Sequence, residues 1–249
     1  HSLRRRAAQY RSMIGIVASD IGFRERYSGI LSFCQQYQLP TSATELLRNV
    51  FRGLNALKNA KQEFFLLHVL VDSLTNTLAG KPEAMSGNDE SMIPPEWKHL
   101  KGWLEGISYL LKKTEENRLN EGDVYDIKPG SGWERSAGSI NVFPYGSILL
   151  IIEEVFRNAG KYAPTSSIRE IEYDVIDNHV LQIISRNKRK EAKDRAVLES
   201  TKTGMTLLHT VSWANFTKQG VRISCPPNEV LLELKIELDL QMYHKGGRV

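Results

Sequence analysis

The chain has 249 residues, 41% hydrophobic and 25% charged, the ordinary composition of a soluble globular protein with room for one large domain or two modest ones. No apolar run approaches the roughly 18 residues that a membrane span needs; the densest, Ile148 to Ile152, leads straight into Glu153 and Glu154. Cys34 and Cys225 lie far apart without metal-ligand spacing, which argues against a disulfide framework and for a reducing cytoplasm. A net charge of +4 does not by itself show the clustered basic face that nucleic-acid binding needs, and the two basic clusters, Arg4-Arg5-Arg6 and Lys188-Arg189-Lys190, read first as solvated surface or loop.

Up to about residue 118 the pattern is helical, broken at Leu39-Pro40 and again between Gly80 and Pro95. After Pro40, Thr41 or Ser42 can cap a new helix, with Glu45 in its first turn. Val50, Leu54, Leu57, Phe64, Val71 and Leu78 then follow steps of three and four, with polar members at Lys61, His68 and Thr75. Such a heptad-like stripe packs against other helices. Beyond a polar linker, Pro94-Pro95 opens a second helix whose Trp97, Leu100, Trp103, Leu104, Ile107, Leu110 and Leu111 form one apolar face. The two helices make a hairpin expected to close a four-helix bundle with a second copy.

From 122 to 140 the chain is rich in Gly and Ser, including Lys128-Pro129-Gly130-Ser131-Gly132. A helix is expected from Tyr145 to Tyr162, then strands over Ile168–Asp177 and His179–Arg186 with Asp177-Asn178 at the turn. After a polar stretch, a helix over Gly204–Phe216 and strands over Gly220–Cys225 and Glu229–Leu240 complete the order. In the last strand Leu232, Leu234, Ile236 and Leu238 alternate with Glu233, Lys235, Glu237 and Asp239, giving one buried and one wet face. This order implies a mixed or antiparallel sheet covered on one side by helices.

The segment Ile151-Ile-Glu-Glu-Val-Phe-Arg-Asn-Ala-Gly-Lys-Tyr-Ala-Pro164 carries the chemistry. Glu154 and Asn158, four apart, share one helical face, where a carboxylate and an amide oxygen can hold hydrated Mg²⁺ against nucleotide phosphates. Lys161, one turn on, can reach a phosphate. The bland alternative is an amphipathic helix whose Glu, Asn and Lys face water. Further along, Thr201-Lys-Thr-Gly-Met-Thr-Leu-Leu208 opens a helix, where Gly204 would let backbone N–H groups approach phosphate.

Together these segments resemble the nucleotide-binding boxes of the ATPase superfamily shared by gyrase, Hsp90-type chaperones, MutL-type repair proteins and histidine kinases. The resemblance places Glu154 at the polar or general-base position, Asn158 at the metal-linked asparagine, and Lys161-Tyr162 at the histidine-kinase Lys-Tyr pair. It places Lys202 and Gly204 in the second glycine box, although Lys202 stands where the family usually has another glycine. Between the boxes the family carries Asp-x-Gly-x-Gly at a strand end, the Asp reading the adenine amino group. Here that strand ends Ser185-Arg186-Asn187-Lys188-Arg189, so Asn187 is the stand-in for the Asp. Lys188 and Arg189 cannot easily copy glycine conformations and are expected to fill the pocket or meet an anion. In the stem, Asp72-Ser73-Leu74-Thr75-Asn76-Thr77-Leu78 is similar to the family's His-Asp-Leu-x-Asn-x-Leu pattern, with Asp72 in place of the phosphate-accepting His. His68, one turn earlier and nearer the seam, is the stem-helix histidine available as acceptor; its bland reading is a packing histidine.

The implied fold is α+β: an N-terminal helical segment (1–40), a helical-hairpin dimerisation stem (41–120), and an α/β sandwich of the histidine-kinase ATPase type (121–249). The resemblance further implies a homodimer in two-component or phosphorelay signalling, with a response regulator or another signalling protein as partner. ATP and Mg²⁺ are the implied cofactors, with weak or absent binding expected from the altered boxes. Two functions compete. In one, the ATPase-like domain is degenerate and the dimer is a docking or regulatory module. In the other, an active kinase passes the γ-phosphate of ATP to a stem histidine, with His68 and Glu154 as catalytic candidates.

Overall fold

A computed structural model describes residues 93–116, 124–164, 166–188, 219–225 and 231–242, together with Gln62, Phe65, Leu66 and Val69. The 1–40 segment, the stem stripe from Val50 to Leu78, His68, Arg189, Lys202, Gly204 and the expected helix over Gly204–Phe216 lie outside the described residues.

Among the described residues, three α-helices and five strands build the α/β unit. Helix α1 is Leu100–Glu116, α2 is the short Trp133–Ser136, and α3 is Tyr145–Tyr162. The strands are β1 (Val124–Pro129), β2 (Ile168–Ile176), β3 (Val180–Lys188), β4 (Val221–Ser224) and β5 (Leu231–Asp239), in the sheet order β1-β2-β3-β5-β4. Strands β1 and β2 run parallel and the other pairs are antiparallel, so the sheet is mixed. Its strict alternation follows the sequence. Ile171, Tyr173, Val175, Leu181, Ile183, Leu234, Ile236 and Leu238 bury one face. On the other, Arg186 bridges Glu172 and Glu233 across three strands, at 2.6 and 2.9 Å. The β2–β3 connection is the expected turn: Asp177 and Asn178 both take positive φ, 53° and 60°, as the tight turns that match strand twist require.

Helix α1, expected in the stem, shares one hydrophobic core with α3 and the sheet. The indole N–H of Trp103 donates to Tyr145 O (3.1 Å), and Ser108 Oγ and Tyr173 Oη are hydrogen bonded at 2.7 Å. The first amides of α1 find partners in the loop before α3: Leu100 N donates to Ile140 O and Lys101 N to Ala137 O. The apolar face expected to meet a second hairpin is therefore covered within the chain. Phe65, Leu66 and Val69 add to that cover, with Phe65 set edge-on to Trp103 and Tyr145 at ring-centroid distances of 5.8 and 5.4 Å.

Candidate functional site

Helix α3 positions the first candidates. Pro144 precedes its first turn, and Ile148, Leu149, Leu150, Ile151, Ile152, Val155 and Phe156 are buried. A helix apolar this far round its circumference is a core helix rather than a surface one. Burial continues through the polar positions: Glu154 is 0% exposed and Asn158 7%. This rules out the reading in which both simply face water. The two are brought together as their spacing implied, Asn158 donating Nδ2 to Glu154 Oε1 at 3.2 Å. The other carboxylate oxygen accepts from Arg157 Nη2. Sequence reasoning passed over Arg157; its i, i+3 spacing from a buried Glu was the available signal.

Asn187 sits near the end of β3. Strand alternation puts it on the same face as Leu181, Ile183 and Ser185, the face that the helices cover. It is 4% exposed, and among the described residues its Oδ1 has no hydrogen-bond partner. Asn187 pairs with Leu232 of β5, and just beyond the last β2–β3 rung, Glu170–Arg186, the buried guanidinium of Arg169 lies 5.8 Å from the Tyr125 ring centre. The Tyr125 hydroxyl in turn donates to Phe156 O of α3 at 2.9 Å. The half of α3 carrying Glu154 and Asn158 is thus tied to the end of the sheet that carries Arg169 and Asn187. Lys188, expected to fill the pocket or meet an anion, is an exposed residue of regular strand, and alternation turns it to the face opposite Asn187. The side chains of Lys161 and Tyr162 lie outside the described residues, though both close α3.

The residues present fit a magnesium nucleotide at two points. With its Nδ2 committed to Glu154, the Asn158 side chain has its carbonyl oxygen as the atom suited to a hard cation or its water shell. A buried acceptor left without a donor, as in Asn187, costs about 1–3 kcal/mol, a cost that a ligand N–H group would relieve. The Gly130-Ser131-Gly132 turn is not a phosphate cradle: Gly132 N donates to Asp174 Oδ1 (2.9 Å), so a carboxylate already takes that amide. A cavity of about 180 Å³ opens beside Asp177, Arg222 and Asp239, at the opposite end of β3 from Asn187. No helix among the described residues is long and apolar enough to cross a membrane.

No protein-family model matches the chain, and no curated protein matches it. Among solved structures it is similar to histidine kinase catalytic domains. The histidine kinase domain of the blue-light activated histidine kinase from Erythrobacter litoralis is 14% identical with a TM-score of 0.47, covering 81% of this chain and 95% of that one. The histidine kinase AdeS of Acinetobacter baumannii is 13% identical with a TM-score of 0.45, covering 82% of this chain and 98% of that one. The catalytic domain of histidine kinase ThkA is 10% identical with a TM-score of 0.43, covering 57% of this chain and 94% of that one.

Proposed function

We propose that this chain is a histidine-kinase-like signalling module of two-component type, whose ATPase-like domain holds Mg·ATP weakly and does not use it for phosphotransfer. The observation that carries this reading is the state of Glu154, wholly buried and engaged on both oxygens by Arg157 and Asn158. A general base must reach the proton it abstracts, directly or through one water. Glu154 acts instead as a positioning residue that aims the Asn158 carbonyl. When bound, the metal would screen the phosphate charges; Asn158 would hold its water shell and Asn187 would accept from the base. Lys161, Tyr162, Lys202 and Gly204 would complete the phosphate side, although the second glycine box lacks one of its glycines.

With the motif-like stem position taken by Asp72, which cannot form a phosphoramidate, the dimer then works by docking a response regulator or another signalling partner. The experiment is incubation of the full chain with radiolabelled ATP, and separately with a phosphorylated receiver domain. No acid-labile label is expected from either donor. Label that appears in the wild type and vanishes in His68→Gln would establish the kinase or phosphorelay reading instead.

A further inference from the structure

We propose that the cavity at the hairpin end of the sheet is a separate binding site, for a small molecule that joins an ammonium and a carboxylate to an aliphatic group, the chemistry of a free aliphatic amino acid. The proposal stands apart from the nucleotide reading, since the cavity lies at the opposite end of β3 from Asn187.

It starts from the open face of the sheet. Strand alternation puts Ile176, Val180, Arg222, Glu237 and Asp239 on the face opposite the helix-covered one. Ile176 pairs with Val180, Val180 with Asp239, and Glu237 with Arg222, so these side chains stand in two adjacent rows across the strands. The row through Val180 and Asp239 ends on Gly220, whose carbonyl accepts from Asp239 N at 2.8 Å. A glycine there contributes no side chain, and the space beside it is the cavity, about 180 Å³, with Asp177 of the hairpin turn among its walls.

The charges on those walls are of both signs and are not spent on one another. Glu237 is already engaged: its Oε1 accepts from Gln182 Nε2 at 3.0 Å and lies 2.8 Å from Lys235 Nζ. Asp239 gives Oδ1 to Gln241 N (2.9 Å), while Oδ2 stays 3.9 Å from His179 Nε2, beyond hydrogen-bond reach. The Asp177 carboxylate and the Arg222 guanidinium form no hydrogen bond or ion pair among the described residues. Two carboxylates with open acceptor oxygens suit an ammonium, which carries three N–H donors. Arg222 is a planar fork of donors that matches a carboxylate. Ile176 and Val180 are left as apolar ground for an aliphatic side chain. A site for a bare cation has no use for Arg222, and a site for an anion none for Asp177 and Asp239. An aliphatic amino acid meets all three groups at once.

The test is titration of the isotope-labelled full chain by NMR with leucine, and with its two halves: isoamylamine, which lacks the carboxylate, and isocaproate, which lacks the amine. Leucine should shift the amide signals of residues 177–180 and 219–222 with millimolar affinity, the range open to a ligand of so few atoms. Each half-molecule should bind about fivefold more weakly or worse, the upper worth of an exposed ion pair. Asp177→Asn and Arg222→Gln should each weaken leucine by about threefold or more. Both variants change exposed side chains, and asparagine accepts the positive φ of position 177, so both are expected to fold. Absence of leucine-dependent shifts at these residues would overturn the proposal. So would isoamylamine binding as tightly as leucine, since the cavity would then be an attractor of cations only. Unchanged leucine affinity in either variant would overturn it as well, by removing the charge that the proposal assigns a role.

Discussion

Asn158 donates its amide to Glu154 across one turn of α3, at 3.2 Å, while Arg157 holds the other oxygen of the same carboxylate. Three residues within one turn are thus linked, with the acid wholly buried and the arginine side chain keeping 26% of its surface. Removing a partner from a buried charge costs more than the pair contributes, because the remaining charge is stranded. Arg157→Ala should therefore destabilise the fold by about 3 kcal/mol, near the low end for buried pairs because the arginine reaches solvent. Urea denaturation of the two proteins measures this, and a loss below about 1 kcal/mol would place the pair among surface salt bridges.

Asn158→Ala separates the positioning role from the ligand role. It deletes one neutral–charged hydrogen bond, so stability should fall by about 1–3 kcal/mol. The Mg²⁺-dependent part of nucleotide binding should disappear altogether. Titrations with and without Mg²⁺, on protein shown to be folded, read the two effects apart.

The aromatic cluster under α1 makes a third expectation. Phe65 meets Trp97, Trp103 and Tyr145 with ring centres 5.2 to 6.1 Å apart across the set. Phe65→Ala should cost about 3–5 kcal/mol and expose indole. Gly106→Ala acts on the same cluster from the other side, since a Cβ there would overlap the Trp97 ring. Both variants should shift tryptophan emission to longer wavelength, and unchanged emission in Phe65→Ala would mean that this residue is not part of the core.

Much of this was legible in the sequence. The bounds of α3 and the β2–β3 hairpin follow from an apolar helical run and from strict alternation around Asp177-Asn178. Two things were not. Strand β1, Val-Tyr-Asp-Ile-Lys-Pro, is a six-residue edge strand next to Gly and Ser, and its pairing with β2 is a long-range choice that no local pattern carries. Likewise, Trp97, Trp103 and Leu104 show that α1 has an apolar face but not which neighbour covers it. Phe65, Leu66 and Val69 lie off the Val50–Leu78 stripe, so a second face of that segment went unread. At the site, spacing alone joined Glu154 to Asn158, whereas the unpartnered oxygen of Asn187 is visible only in three dimensions.

Alkaline pH should expose the Tyr173–Ser108 pair. Burial raises the Tyr173 phenol above its ordinary value of 10.0, with the Ser108 hydrogen bond a smaller opposing effect. A group whose folded pKa is raised favours the folded state fully below its unfolded pKa and loses that contribution as pH rises beyond it. Stability should thus be flat near neutrality and decline above about pH 10. Tyr173→Phe should lose about 0.5–1.5 kcal/mol at pH 7 and show less of the alkaline decline. Thermal melts between neutral and alkaline pH check both.

Because α1 is covered within the chain, the proposed dimerisation would rest on the Val50–Leu78 stripe rather than on the Trp97–Trp103 face. Val71→Asp or Leu78→Asp should push the protein toward monomer or aggregate, as a buried unpaired charge costs several kcal/mol, about 3–5. Analytical ultracentrifugation should show a concentration-dependent dimer in the wild type. A concentration-independent monomer there would end the idea.

Calorimetric titration of the full chain with Mg·ATP bears most directly on the central claim, a nucleotide site that persists without catalytic use. The expected dissociation constant is about 1 mM or weaker, a free energy no better than roughly −4 kcal/mol, and the Mg²⁺-dependent part vanishes in Asn158→Ala. Micromolar binding would contradict the account and return the chain to the working kinases.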